Sequence, residues 1–224
     1  MINWQAIDTV LLDMDGTLLD LHFDSHFWLE HLPRRYVELH QLDEASQAAL
    51  QARIISEQGT LNWYSLAYWS RELGVDIVAL KREVQHLIGL RGDALDFLTW
   101  LQTEHPRVVL ATNADRASLA LKLPLTGLEA YLDAIVSSED VGAAKEEQAF
   151  WFALQEIEPF DPARTLFIDD NPRVLESARE FGIKHLLGIK QPNSQRPEKV
   201  LQEFVALDRF AQLLPRDMPH EEPK

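Results

Sequence analysis

The sequence predicts an α/β protein: a doubly wound parallel sheet with an all-helical segment inserted after its first strand. Three observations carry this expectation. Apolar runs without alternation recur along the chain, each ending in polar residues, as in strands buried on both faces. Stretches with helical apolar spacing separate them, and strand–helix repetition builds a parallel sheet through right-handed crossovers. A long stretch after the first run shows helical periodicity only.

The elements follow in order. Val10-Leu11-Leu12 runs into Asp13-Met14-Asp15-Gly16-Thr17. Arg107-Val108-Val109-Leu110-Ala111 runs into Thr112-Asn113, and Ala134-Ile135-Val136 into Ser137-Ser138. Thr165-Leu166-Phe167-Ile168 runs into Asp169-Asp170-Asn171, and Lys184-His185-Leu186-Leu187-Gly188-Ile189 closes the series. Ala94, Leu95, Phe97, Leu98 and Leu101 have helical spacing. Asn171 is placed to cap a helix with Pro172 at its first position, Val174, Leu175 and Ala178 on its apolar face, and Gly182 just past its end. From about Leu21 to about Arg91 no strand pattern occurs. Leu32, Tyr36 and Leu39, then Ala45, Ala48 and Ala49, then Leu66, Trp69 and Leu73 read as successive amphipathic helices. The expected division is an α/β core at 1–20 and 92–214, a helical cap at 21–91, and a flexible proline-rich, charged tail at 215–224.

At 224 residues the chain can bury a sizeable core. Lys and Arg number 21 against 36 Asp and Glu, a formal net charge of −15. That excludes a nucleic-acid polymer or an anionic membrane as partner, for want of a basic surplus. A small phosphorylated substrate remains open, since it needs only a few local cations. There is no cysteine, hence no thiol chemistry, and a reducing compartment is permitted. Met1-Ile2-Asn3-Trp4-Gln5-Ala6 lacks the pattern of a signal peptide, and no apolar run approaches the roughly 20 residues of a membrane span. A cytoplasmic protein is the expectation.

Ligands of parallel sheets bind at the carboxyl ends of strands, where Asp13 and Asp15 fall. Two such carboxylates, pointing to one side if both stay extended, repel each other unless a cation or shared proton intervenes. Hard oxygen ligands point to magnesium. The other strand ends add Thr112 and Asn113, Lys145 (no other lysine lies between the third strand and Asp169), and Asp169 with Asp170.

In this order the four sets resemble the signatures of the haloacid dehalogenase superfamily, and within it the phosphatase branch. The resemblance implies an inserted cap, Mg2+ as cofactor and a small phosphomonoester as substrate. It implies Asp13 as nucleophile, passing through an aspartyl phosphate, and Asp15 as general acid and base. Thr112, Asn113 and Lys145 would bind the phosphoryl group. Asp13, Asp15 (through its carbonyl), Asp170 and Asp169, the last as ligand or as support, would hold the metal. Thr17 would orient Asp13 or Asp15. One departure is Ala144, where relatives frequently carry proline before the lysine. Further similarity, in Phe23-Asp24, Phe27-Trp28, Leu61-Asn62-Trp63-Tyr64, Tyr68-Trp69-Ser70 and the stretch from Arg164 to Asp170, extends to purine 5′-nucleotidases of this superfamily that act on GMP and IMP. The alternatives are a phosphosugar phosphatase or phosphomutase on the same fold and, from another class, a non-enzymatic binding module, which would leave the signatures decayed. A dehalogenase is disfavoured, because it needs no metal cluster and lacks the equivalent of Asp15. The eight histidines show no metal-ligand pairing, and Phe27, Trp28, Trp63 and Tyr64 read first as packing residues.

Overall fold

The computed structural model describes residues 2–104, 106–201 and 203–215; beyond Pro215 the expected tail lies outside the described residues. Its sheet has strands β1 (Thr9–Leu12), β2 (Arg107–Thr112), β3 (Ala134–Ser137), β4 (Thr165–Asp169), β5 (His185–Ile189) and β6 (Val205–Leu207). They lie in the order β3-β2-β1-β4-β5-β6, and every neighbouring pair is parallel. The chain builds outward from β1 on one side, then returns to build outward on the other. Direction reverses at β1, so the crevice at its carboxyl end is the switch point where such sheets bind ligands.

Burial explains the missing alternation. Val10 and Leu12 of β1 pack with Val108, Leu110, Leu166 and Ile168 on one face, while Leu11 packs with Val109, Ala111 and Phe167 on the other. Helices cover both faces. In chain order the helices are α1 (His22–His26), α2 (Leu32–His40), α3 (Glu44–Ser56), α4 (Leu61–Tyr64), α5 (Leu66–Leu73), α6 (Ile77–Glu83), α7 (Ala94–Glu104), α8 (Arg116–Thr126), α9 (Ser138–Val141), α10 (Gln148–Ile157) and α11 (Pro172–Phe181). Phe97, Leu98 and Leu101 of α7 line the first face; Phe150, Trp151 and Leu154 of α10 and Val174, Leu175 and Ala178 of α11 line the second. Asn171 caps α11 by accepting from the Arg173 amide, and Gly182 ends it in the left-handed region, as its sequence predicts.

β6 lies outside the expected series. It is three residues long, and Val205 at its start is 69% exposed, so no buried apolar run marks it.

Helices α1 to α6 gather around a cluster of their own, including Phe23, Phe27, Leu32, Leu50, Ile54, Trp69 and Ile77, which Leu121 of α8 joins from the sheet side. Two expectations fail in detail. Ala45, Ala48 and Ala49 are exposed, because α3 turns Leu50 and Ile54 inward instead; Leu39 is 50% exposed, leaving Leu32 and half-buried Tyr36 to anchor α2. A π-helical turn, Phe27–His31, joins α1 to α2. Pro33 has no N–H for the Leu29 carbonyl one turn back, and Gln51 Nε2 supplies the hydrogen bond at 2.7 Å. The two crossings into this segment run side by side: Leu19 bridges Leu90, the Asp20 amide donates to Gly89 O at 2.9 Å, and the Arg91 amide to Leu18 O at 2.9 Å.

Candidate active site

The site begins where β1 stops. The Asp13 amide extends the ladder by one bond, donating to Ile168 O at 3.0 Å. The chain then turns, with Met14 O accepting from the amides of Leu18 and Leu19 at 3.0 and 2.8 Å. Gly16 sits at φ +93°, and a Cβ there would lie 2.8 Å from Asp170 Cγ; both conformation and space require glycine. The turn buries Thr17 Oγ1 without a hydrogen-bond partner among the described residues, so Thr17 does not orient Asp13 or Asp15 as expected. The same turn lies between Asp13 and Asp15, and both line the cavity above the sheet.

Asp13, Asp169 and Asp170 converge. All three are buried, and one oxygen from each lies within 4.8 Å of the others. Lys145, 2% exposed, reaches in from the loop after α9. Its ammonium donates to Asp13 Oδ1 at 2.5 Å, Asp169 Oδ2 at 2.7 Å and Ala111 O at 3.0 Å, using all three protons. Burial opposes its charge, but Asp13 and Asp169 outweigh burial and hold the ammonium above its ordinary value. Burial also pushes Asp169 well up, against the pull of Lys145. Asp169 Oδ1 accepts from the Asn171 amide at 2.8 Å, so both of its oxygens are engaged. Asp170 is raised by burial, with Lys199 at 3.0 Å from Oδ2 pulling the other way.

Asp15 stands apart from this cluster. Its Oδ1 lies 2.7 Å from Lys122 Nζ as an ion pair outside hydrogen-bond geometry. Burial pushes its carboxyl up to about 7 against the lowering effect of Lys122. Thr112, 1% exposed, lines the crevice, and its Oγ1 accepts from the Ala114 amide at 3.0 Å. Asn113 uses its side chain on the protein: Oδ1 accepts from the Lys145 amide at 2.8 Å, and Nδ2 donates to Glu146 Oε2 at 2.9 Å. Above these groups lies a cavity of about 540 Å³, whose far wall includes Trp28, Trp63 and Tyr64 from the helical segment. Tyr64 OH donates to Glu146 Oε1 at 2.7 Å, tying α4 to the loop that carries Lys145.

Sequence reasoning missed Glu146, Lys122, Asp24 and Lys81. The last two lysines carried a signal: Lys122 follows Ser118 and Leu119 on the inward stripe of α8, and Lys81 follows Ile77 and Leu80 on that of α6, and all six are buried. A lysine on an apolar stripe needs an acid beside it, and Asp24 serves both.

The carboxylate cluster suits a hard cation. Three carboxylates this close repel one another beyond what Lys145 and Lys199 offset, and an all-oxygen donor set matches magnesium. Fold and site together define a hydrolase of the haloacid dehalogenase type. The family profile described as "Hydrolase: haloacid dehalogenase-like hydrolase" matches residues 7–182, and the chain belongs to that family.

Among characterised proteins, it is 41% identical over 215 residues to "GMP/IMP nucleotidase YrfG" of Escherichia coli (strain K12), covering 96% of this chain and 97% of that protein; the protein of the same name from Shigella flexneri matches equally. Among solved structures, a HAD phosphatase from Thermococcus onnurineus superposes with a TM-score of 0.78 at 18% identity, over 92% of this chain and 96% of that one. Among the described residues no helix is long and apolar enough to cross a membrane.

Proposed function

We propose that this enzyme is a magnesium-dependent phosphomonoesterase that acts through an aspartyl phosphate on Asp13, with purine 5′-monophosphates as substrates. The observation that carries the reading is the buried Asp13 carboxylate held by Lys145 beside Asp169 and Asp170, at the floor of a cavity.

An anionic ester repels an attacking carboxylate. Lys145 offsets that charge, and Mg2+ held by Asp13, Asp170 and the Asp15 carbonyl would offset the rest and stabilise the transition state. Asp169, with both oxygens engaged, supports Lys145 and the turn at Asn171. In the first half-reaction an Asp13 oxygen bonds to phosphorus, the bond to the leaving oxygen breaks, and Asp15 gives that oxygen its proton. In the second, Asp15 takes a proton from water, the water oxygen bonds to phosphorus, and the acyl-phosphate bond breaks to free phosphate and Asp13. Thr112 lies at the strand end where phosphoryl oxygens would sit. Asn113 acts through Lys145 and Glu146, which its amide holds.

Residues 21–91 serve as a cap over a core of 1–20 and 92–214. The cap's contribution is selection of the leaving group. Trp28 and Trp63 face each other at 6.2 Å with their planes 26° apart, and both line the cavity. The indole N–H groups of buried Trp69 and Trp151 are hydrogen-bonded, whereas those of Trp28 and Trp63 have no partner among the described residues. Flat apolar faces with free donors suit a base carrying acceptors on its edge, as a 6-oxopurine does. The relatives named as GMP/IMP nucleotidases support the same substrate class.

Phosphate release across nucleoside monophosphates and sugar phosphates tests the reading. The expected result is fastest release from GMP and IMP with Mg2+ and none with excess EDTA. Release that survives EDTA, or a preference for sugar phosphates, overturns the corresponding part.

A further inference from the structure

Four charged side chains of alternating sign connect the site to the helical segment. Lys122 Nζ lies 2.7 Å from Asp15 Oδ1 and donates to Asp24 Oδ2 at 2.6 Å; Lys81 Nζ donates to Asp24 Oδ1 at 2.6 Å. Both lysines are 1% exposed. Asp15 and Lys122 come from the sheet side, on the turn after β1 and on α8. Asp24 and Lys81 come from the helical segment, on α1 and α6.

Packing explains only half of this chain. Lys81 Nζ lies 4.8, 4.9 and 5.5 Å from the rings of Phe23, Phe27 and Trp28, so aromatic faces and Asp24 satisfy it within its own segment. The Asp24–Lys81 pair is already neutral. Lys122 adds a second buried ammonium, 5.4 Å from the Phe23 ring, where an apolar side chain would pack at lower cost. Beyond that ring contact and Asp24, what it gains is Asp15. It stands 2.7 Å from Oδ1 of that carboxylate as an ion pair; neither Asp15 oxygen carries a hydrogen bond among the described residues, and Asp15 borders the cavity.

We propose that Lys122 is a positioning residue for Asp15, and that Asp24 makes this positioning conditional on the helical segment being seated over the site. The proposal rests on the reading of Asp15 as general acid and base. With the segment seated, Asp24 and Asp15 hold the ammonium between them, and the free oxygen of Asp15 is presented to the leaving group. When the segment lifts, Asp24 departs with Lys81, Lys122 loses one of its two anchors, and the carboxyl is released. The enzyme then has a placed proton donor only when its cavity is closed to water.

The test uses leaving groups that differ in their need for a proton. An alkyl phosphate such as a nucleoside monophosphate leaves as a strongly basic alkoxide; p-nitrophenyl phosphate leaves as an anion stable near neutrality. The quantity read is kcat/KM with Mg2+, which covers the steps up to formation of the aspartyl phosphate. Lys122→Met leaves Asp24 and Lys81 paired and neutral. The double variant Asp24→Leu with Lys81→Met leaves Lys122 paired with Asp15 and removes the polar tie to the helical segment, leaving only the contact with the Phe23 ring at 5.4 Å. In both, kcat/KM for the nucleotide is expected to fall by on the order of 100-fold or more, the range of a lost general acid, while that for p-nitrophenyl phosphate stays nearly unchanged. Lys122→Arg restores the nucleotide rate in part. Equal losses on both substrates, or no loss on either, overturn the proposal. A selective loss in Lys122→Met with a normal double variant overturns the role of Asp24. Should Lys122→Met fail to fold, the double variant decides. A wild-type protein inactive on every phosphomonoester overturns the phosphatase reading itself, a separate outcome.

Discussion

Asp13 carries one charge in three relationships: an ammonium at 2.5 Å, two neighbouring carboxylates, and a crevice that admits a phosphate. Replacing it with asparagine keeps the shape and one acceptor for Lys145 but removes the nucleophile. Asp13→Asn is expected to lower turnover by on the order of 10⁴-fold or more, with the thermal unfolding midpoint retained; turnover and a melting curve on one preparation check it. At this scale the sequence was most legible where the chemistry is local. Asp13, Asp15 and Gly16 sit in one turn, and their types follow from a strand end, a close carboxylate and a positive φ. Lys145 needed its place in an ordered set, since nothing in Gly142-Ala143-Ala144-Lys145 distinguishes it from a solvated lysine. Lys122 was readable as a lysine on an apolar stripe, but its pairing with Asp24 was hidden, because 98 positions separate them and a pair across elements leaves no spacing to read.

Elements deliver these residues. Because β2 and β4 flank β1, their ends bring Thr112 and Asp169 beside Asp13, and the loop after β3 needs only to carry Lys145 inward. One carboxylate also joins two helix starts. Asp115 Oδ1 accepts from the Ser118 amide at 2.9 Å and caps α8, while Oδ2 accepts from the Leu66 amide at 2.6 Å at the start of α5. Asp115→Ala leaves both donors without that partner, and the Leu66 amide is buried in the contact. The expected loss is about 2 kcal/mol, from a lost cap and an unmet buried donor, read as a shift in the urea midpoint with the slope unchanged. Buried strands and the capped α11 were legible because each announces itself within ten or so residues. The inward face of α3 was not: alanines have the helical spacing, but larger Leu50 and Ile54 bury more surface and set the rotation. β6 fails for the opposite reason, as a short edge strand with an exposed valine.

For the whole molecule the acidic balance matters through its internal pairs. Burial alone would raise Asp24, but Lys122 and Lys81 overcome it and hold the carboxyl well below the usual carboxylate range. A carboxyl depressed in the folded state gives stability that is fully present above its unfolded value, near 4, and is lost as pH falls from there toward the folded value. Urea unfolding from pH 7 to pH 3 is expected to show stability declining below about pH 4. Asp24→Asn is expected to start lower at pH 7, with two buried ammonium groups short of a partner, and to decline less steeply. An unchanged acid slope would show that Asp24 does not contribute to it. The paired crossings at Leu19 and Leu90 have a consequence at this scale too. The polypeptide leaves the sheet layer and re-enters it through adjacent positions, so everything between hangs as an appendage from a single doorway. A segment joined at one place in this way can differ in length or lining from one protein to another without any change in strand order, provided it returns an acid to the ammonium of Lys122.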